Sequence, residues 1–143
     1  MRDLTLTGAE TIVAEALKHS RRQNLMPMTV VVLDDRATVK AVASEDGSSL
    51  SRFDIARGKA FGCLAFDLGA RAVGAKAQIF VNAVGQLNDV NMVPVAGGVL
   101  IRKADRTIVG AVGISGDTSD NDEKAAVVGV EAAGYVADTG AEG

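Results

Sequence analysis

Two adjacent glycines, Gly97 and Gly98, stand inside the strand-like apolar run VPVAGGVLIR, which also holds a proline and an arginine. Consecutive glycines can turn their peptide N–H groups toward one anion, and an arginine can add two parallel hydrogen bonds to a carboxylate. Arg102 and Arg57 are the arginines available to complete such a site. The same run also suits a β-bulge or a tight turn that enters a strand. The residues alone leave the anion site and the turn equally open.

A second set of chemically capable side chains is the acidic run DNDE, Asp120 to Glu123. Paired carboxylates can transfer protons in acid–base catalysis. Acidic side chains also stabilise the start of a helix, because they interact favourably with the positive end of its dipole. The sequence favours the helix start and leaves the acid–base role open.

The other candidates for chemistry have plainer explanations. His19, the only histidine, has helical spacing from Ile12 and Ala16, which predicts a half-exposed position. Cys63, the only cysteine, lies among small residues and is expected to be a buried thiol. Met92 is typical of a core filler, although a thioether is also a soft metal ligand. We predict no metal site, since one histidine cannot build a two-histidine centre.

The composition limits the class of protein. We expect one domain over residues 1–143, with a tail that frays from about residue 138. A net charge of -3, no basic block and 3% aromatic residues argue against nucleic-acid binding. The chain shows no apolar leader core and no stretch suited to a membrane helix. We therefore expect a cytoplasmic protein with no membrane partner, and a single cysteine fits a reducing compartment.

Hydrophobic patterns predict the elements that position these residues. A capping box of Thr7 and Glu10 predicts a helix over residues 8–23, followed by a β-hairpin over residues 28–44. A second helix begins near Ser51, and its stripe of small residues should pack closely against the sheet or a second subunit. The segment 69–92 predicts one short helix at about residues 75–84.

The last third of the chain predicts another hairpin and another helix. Residues 98–103 and 107–115 form the hairpin, and a third long helix runs from about residue 117 to residue 137. Adjacent strands joined by short turns give an antiparallel sheet with helices on its faces, which is an α+β fold. The glycines Gly110, Gly113 and Gly116 lack dinucleotide-binding spacing and are expected to let a helix lie close to a strand.

Four blocks of sequence together resemble one family, that of the GlcG-like and HbpS-like proteins and the C-terminal domain of PduO-type corrinoid adenosyltransferases. The blocks are Asp46–Gly47, DIARGKAF at 54–61, VPVAGGVLIR at 93–102 and IVGAVGISGDTSDNDEKAA at 108–126. The resemblance implies a profilin-like α+β fold, with a central antiparallel sheet flanked by helices, and homo-oligomers from dimers to octamers. The shortage of charge in residues 77–87 is compatible with subunit contacts.

The resemblance also implies a ligand pocket. Proteins of this kind bind and slowly degrade haem, associate with cobalamin, or accompany the catabolism of small hydroxy acids. The positions carried over as a pocket are Asp46, Gly47, Lys59, Pro94, Gly97, Gly98, Arg102, Asp122 and Glu123. No histidine falls in the four blocks, so an oxygen, lysine or methionine contact would have to hold a haem iron.

Three functions stay open at this stage. The first is a tetrapyrrole-binding protein, for haem or a corrinoid, with at most weak haem degradation. The second is an enzyme or accessory subunit acting on a small hydroxy- or keto-carboxylate, in which Lys59 neutralises an enolate and Asp122 or Glu123 moves a proton. The third is an oligomeric stabiliser of a partner enzyme with no ligand of its own.

Overall fold

A computed structural model describes residues 4–87 and 91–141 of the chain. Within these ranges the chain forms five helices and five strands: α1 (Leu6–Arg22), β1 (Thr29–Asp34), β2 (Val39–Ser44), α2 (Arg52–Phe66), α3 (Ala70–Gly74), α4 (Gln78–Gly85), β3 (Gly98–Arg102), β4 (Ile108–Ser115), α5 (Ser119–Ala132) and β5 (Val136–Asp138). None of the helices in the described ranges is long and apolar enough to cross a membrane.

The strands form one sheet in the order β2-β1-β4-β3-β5, and every neighbouring pair is antiparallel. Both predicted hairpins are present, and the predicted α+β fold is confirmed. Strands β1 and β4 lie in the middle, where both faces are covered. That position explains their continuous apolar sequences, because a strand buried on both faces needs no polar alternation.

The two faces of the sheet are covered by different helices. Val30, Val32 and Ile114 point toward α1 and α5 and join a large aliphatic core. Val31 and Leu33, which alternate with them along β1, point toward α2 and join a smaller core. Each buried aliphatic side chain stabilises the fold by about 1.5–3 kcal/mol relative to exposure.

Helix α2 approaches the sheet closely because its own residues and the facing strand residues are small. A Cβ added to Gly113 would lie 1.9 Å from the carbonyl oxygen of Ala56, and one added to Gly98 would lie 2.5 Å from that of Lys59. The predicted packing of the small-residue stripe is confirmed, with the sheet as its partner. Gly113 therefore serves helix packing, as expected. The expectation is wrong for Gly110 and Gly116, because a Cβ added to either would meet the chain at Leu33 or at residues 27–28 and not a helix.

The first helix begins earlier than predicted. Thr5 has an extended backbone conformation and its hydroxyl oxygen accepts a hydrogen bond of 2.9 Å from the Gly8 N–H, so Thr5 is the N-cap. The predicted capping box of Thr7 and Glu10 is wrong, because Thr7 already lies in the first turn. Leu4, directly before the cap, is buried and fixes the entry of the chain.

The third long helix ends earlier than predicted. Helix α5 stops at Ala132, because Gly134 has a φ of +88°, and the chain then forms β5 along β3. The predicted extension to Ala137 is therefore wrong. Beyond β5, the carbonyl of Thr139 accepts a hydrogen bond of 3.2 Å from the Arg71 N–H at the start of α3. Residues 142 and 143 of the predicted tail lie outside the described residues.

The segment 69–92 contains two helices, α3 and α4, where one was predicted. The break falls at residues 75–77, where Ala77 takes an extended conformation before α4. Gly74 ends α3 against the chain at Pro94, since an added Cβ would lie 2.6 Å from the Pro94 carbonyl oxygen. Residues 88–90 of the predicted loop lie outside the described residues.

Candidate functional site

A continuous groove runs between α2, α4 and residues 91–95, and we call it the α4 groove. Its first part has a volume of about 300 Å³ and is lined by Asp54, Ile55, Gly58, Gly85, Asn91, Met92 and Val93. The next parts, of about 290 and 200 Å³, share Val81 and Pro94 with each other and extend to Lys76. Gly85 and Met92 line both the first and the second part, so the three depressions adjoin.

Helix α4 is open to solvent, and its residues that line the groove are Gln78, Val81, Asn82 and Gly85. Two apolar side chains of the helix lie beside this lining. Ile79 is 82% exposed and Phe80 is 50% exposed, while Val81 is the buried anchor of the helix. The Phe80 ring packs at 5.9 Å from the ring of Phe66 on α2. A Cβ added to Gly85 would meet nothing within 4 Å, so this glycine leaves open space above the groove.

Besides the amides of Gln78, Asn82, Gln86 and Asn91, three side chains of the groove carry polar or sulfur atoms that could contact a ligand. Met92 offers a thioether, Asp54 a carboxylate and Lys76 an ammonium group that lies 5.6 Å from the centre of the Phe66 ring. Among the described residues, no group of three His, Cys, Asp or Glu side chains is arranged to hold a metal ion.

The single histidine and the single cysteine lie elsewhere. His19 is in the last turn of α1, which covers the opposite face of the sheet from α2. Cys63 lies on the buried face of α2, as predicted, and its thiol donates a hydrogen bond of 3.4 Å to the Lys59 carbonyl oxygen. Burial raises the pKa of the Cys63 thiol to about 12, so it stays protonated.

A second cluster of predicted site residues is buried beneath α2, and we call Lys59, Asp122, Gly97 and Gly98 the Lys59 cluster. The Lys59 ammonium donates a hydrogen bond of 2.9 Å to the Ile114 carbonyl oxygen and lies 3.3 Å from the Asp122 carboxylate. Their side chains are only 4% and 1% exposed. Burial lowers the pKa of Lys59, and the nearby Asp122 carboxylate opposes that shift.

The glycine pair belongs to this buried cluster. A Cβ added to Gly97 would lie 2.7 Å from the Lys59 ammonium nitrogen, and one added to Gly98 would collide with the backbone of α2. Gly97 has a φ of +117°, which favours glycine, and its carbonyl oxygen accepts a hydrogen bond from the Ile114 N–H. The pair therefore starts β3 as a tight turn, and Lys59 fills the space in front of it.

The arginines proposed for an anion site do not join the glycine pair. Arg102 lies at the other end of β3, where its guanidinium donates hydrogen bonds to the Asp138 carboxylate at 2.9 Å and to the Arg106 carbonyl oxygen at 2.7 Å. These contacts tie β3 to β5 and to the hairpin turn. Arg57 lies half-buried on α2.

The remaining predicted residues are spread over the surface. The Glu123 carboxylate accepts a hydrogen bond of 2.8 Å from Arg71, which also pairs with Asp120. Asp46, next to Gly47 in the chain, lines a separate depression of about 410 Å³ at the end of β2. Of all the predicted site residues, Pro94 is the one that lines the α4 groove.

Sequence reasoning did not single out the α4 groove. Its walls mix apolar residues with amides, and no residue type in α4 suggests chemistry on its own. The available signal was the uncharged apolar stretch at residues 77–87, which was interpreted as compatible with subunit contacts.

Comparison with known proteins gives one family and several similar structures. A family model described as "Haem degrading protein HbpS-like" matches residues 4–131. Among curated protein sequences, none matches the chain significantly. The structure of a PduOC–haem complex is similar with a TM-score of 0.83 and 18% identity, covering 92% of this chain and 96% of that one.

Two further structures have the same fold. Klebsiella pneumoniae protein ORFY has a TM-score of 0.80 and 22% identity, covering 90% of this chain and 89% of its own. A double mutant of HbpS from Streptomyces reticuli has a TM-score of 0.77 and 21% identity, covering 92% of this chain and 87% of its own. These likenesses cover nearly the whole chain and agree with the profilin-like arrangement that was expected.

Proposed function

The chain belongs to the HbpS-like family, and from that membership we propose that it binds a tetrapyrrole, either haem or a corrinoid such as cobalamin, with at most slow degradation of bound haem. The family match over residues 4–131 is the observation that carries the proposal. The haem held by the similar PduOC structure adds support at the level of the fold. We further propose a cytoplasmic homo-oligomer.

We assign the tetrapyrrole to the α4 groove. A flat macrocycle needs apolar walls and space between them, and pockets of this kind are mostly apolar with a few polar groups. Val81, Met92 and Val93 supply apolar surface along the groove, and Gly85 leaves the neighbouring space free. The groove therefore fits the ring better than the buried Lys59 cluster does.

The donor atoms of the groove also fit a tetrapyrrole. The Met92 thioether is a soft, neutral ligand of a type used by haem proteins. The Lys76 ammonium would neutralise a carboxylate side chain of the ring. Both groups lie along the same groove, at different positions.

Bound haem would supply an iron centre capable of oxygen chemistry. The residues of the chain would hold the ring, keep bulk water from its faces and balance its negative charge. Asp54 is the one carboxylate among the described lining residues, so proton delivery to the groove would be sparse. This arrangement supports binding with slow degradation at most.

Titration of the purified protein with haemin and with cobalamin tests the proposal. We expect saturable binding of one of them at micromolar ligand, with a shift of the Soret band in the case of haemin. Absence of saturable binding for both ligands would contradict the proposal.

Two leucine substitutions on the same helix locate the site. Gly85→Leu places a side chain in the open space of the groove and should weaken binding roughly tenfold or more, about 1.4 kcal/mol. Ala83→Leu adds the same side chain at an exposed position of α4 that does not line the groove, and should leave affinity unchanged. Equal affinities of the two variants would place the ligand outside the α4 groove.

A further inference from the structure

Residues 91–95 cross between α2 and α4 without regular secondary structure, and we call them the crossing segment. The first part of the α4 groove, beside α2, is lined by Met92 and Val93 of this segment. The second part, beside α4, is lined by Met92 and Pro94. The segment therefore stands between the two parts, and a displacement of it changes the shape of both.

The crossing segment lies directly on the backbone of α2. The Val93 N–H donates a hydrogen bond of 3.0 Å to the Gly58 carbonyl oxygen. A Cβ added to Gly58 would lie 2.7 Å from Cγ2 of Val93 and 3.3 Å from its backbone nitrogen. Glycine inside a helix is less favourable than alanine, so Gly58 lowers the stability of α2 while it permits this contact. A side chain at position 58 requires Val93 to move.

A glycine on another helix holds the same segment at a second point. A Cβ added to Gly74, the last residue of α3, would lie 2.6 Å from the Pro94 carbonyl oxygen. The Val95 N–H donates a hydrogen bond of 2.9 Å to the Val93 carbonyl oxygen, which closes a three-residue turn around Pro94. Proline also restricts the backbone of this turn. The segment is therefore stiff and moves as a unit when one of its contacts is changed.

Position 58 differs from the next glycine along the same helix. Gly58 is buried and lines the first part of the groove. Gly62 is also buried, but it is not among the described residues that line the groove. A Cβ added to Gly62 would lie 3.4 Å from Cβ of Met92, which is an ordinary van der Waals contact. The close approach of the segment to α2 therefore depends on Gly58 and not on Gly62.

We propose that Gly58 is a positioning residue of the α4 groove, which sets the width of the groove by letting the crossing segment lie on α2. This inference rests on the proposed binding of a tetrapyrrole in the same groove. Met92 and Val93 belong to the segment, so their distance from α4 determines how a flat ring contacts both walls. Walls that are held in place before the ligand arrives lose less affinity to ordering.

Ligand affinity tests the proposal in the full-length protein, with haemin or cobalamin as the probe, whichever the wild type binds. Gly58→Ala should raise the dissociation constant roughly tenfold, because Val93 must leave its contact with α2. Gly62→Ala is the matched control, since it adds the same methyl group to the same helix at an ordinary contact distance. The control should leave the dissociation constant within about twofold of the wild-type value.

A double-mutant cycle tests whether the effect passes through Val93. Val93→Ala removes the Cγ2 atom that the new methyl group of Gly58→Ala would strike. The contacts that remain, at 3.3 Å to the backbone nitrogen and 3.4 Å to Cβ of Val93, require only a small adjustment. In the Val93→Ala background, adding Gly58→Ala should therefore change the dissociation constant by less than about twofold.

Hydrogen exchange of the Val93 N–H gives a measurement that needs no ligand. Gly58→Ala should speed exchange at this amide roughly tenfold, because its hydrogen bond to position 58 is broken. The amide of Val31, in the middle of the sheet, should keep its wild-type rate, which distinguishes a local displacement from a general loss of stability.

The outcomes separate this inference from the proposed function. A wild-type protein that binds neither haemin nor cobalamin overturns the proposed function, and this inference with it. Binding by the wild type, together with equal dissociation constants for Gly58→Ala and Gly62→Ala, overturns this inference alone. A loss of affinity that persists in the Val93→Ala background, or an unchanged exchange rate at Val93, has the same consequence.

Discussion

The Lys59 cluster and the α4 groove differ in almost every physical property, although both are formed by α2 and the chain before β3. The cluster holds the side chains with the strongest chemical potential, yet the Lys59 ammonium and the Asp122 carboxylate are buried and bound to each other. The groove has amides, one carboxylate and one ammonium group among apolar residues such as Val81 and Met92, and it is open to solvent.

This difference separates residues that hold the fold from residues that can meet a ligand. A buried ion pair can contribute less to stability than the desolvation of its two charges costs, but removal of one partner leaves an uncompensated charge. The Lys59 cluster therefore holds α2, α5 and the start of β3 together. A ligand the size of a tetrapyrrole can reach only a surface that is already open, and the α4 groove is such a surface.

The largest expected effect comes from breaking the buried pair. Asp122→Ala removes the partner of Lys59 and also the acceptor of the Asp117 N–H, so we expect the free energy of unfolding to fall by about 3–5 kcal/mol. Urea denaturation measures the loss. The loss is limited because Lys59 can release its proton when its partner is absent.

The matched control for this change is Asp120→Ala. Asp120 lies two residues earlier in the same helical turn and is 71% exposed, so its removal should cost less than about 1 kcal/mol. Equal losses for the two variants would show that Asp122 is not the structural partner of a buried lysine.

A smaller effect is expected from two glycine substitutions, one at the close contact between α2 and β4 and one in the open α4 groove. Gly113→Ala places a Cβ 1.9 Å from the Ala56 carbonyl oxygen, which forces α2 away from β4 and should cost about 3 kcal/mol. Gly85→Ala places the same methyl group in open space on a helix and should cost nothing. Thermal unfolding of both variants measures the contrast, and a stable Gly113→Ala protein would disprove the close helix–sheet contact.

The smallest effect is a dependence of stability on pH. Burial lowers the pKa of Lys59 in the folded protein, so between that lowered value and the pKa of an ordinary lysine the folded state binds fewer protons than the unfolded state. In this alkaline window the wild type should gain stability with rising pH relative to Lys59→Met. Below the lowered pKa of Lys59, the difference in free energy of unfolding between wild type and Lys59→Met should not change with pH.

Denaturation in urea at a series of pH values gives this difference directly. Lys124→Met is the control, because Lys124 is an exposed lysine of α5. If the difference in free energy of unfolding between wild type and Lys59→Met falls with rising pH, the pKa of Lys59 is not lowered in the folded protein.

The sequence predicted the parts of the fold that local patterns determine. The β-branched run at residues 29–34 and the apolar run at residues 108–115 gave both central strands, and the small residues of α2 gave its close packing. Strand β5 was missed, because three residues carry little periodic signal and their pairing with β3 joins distant parts of the chain. The capping error arose because Thr5 and Thr7 are chemically equivalent, and the burial of Leu4 decides between them.

The candidate site was predicted less well, for a physical reason. Sequence reasoning selects residue types that can do chemistry, and it placed Lys59, Asp122, Gly97 and Gly98 in one pocket. The structure brings these four together, but it uses them to join elements. Whether a charged side chain faces a cavity or another charge depends on contacts between residues as far apart as Lys59 and Asp122, which no local pattern encodes.

The two walls of the α4 groove differ in how freely their sequences can change. On α2, positions that touch the sheet must stay small, because the backbone of Ala56 and Lys59 lies against glycines. On the α4 side, Asn82 and Gln86 line the groove and are exposed, so exchanging them does not disturb the aliphatic core. If the proposed ligand occupies the groove, substitutions on the α4 side should change its affinity while the free energy of unfolding stays the same.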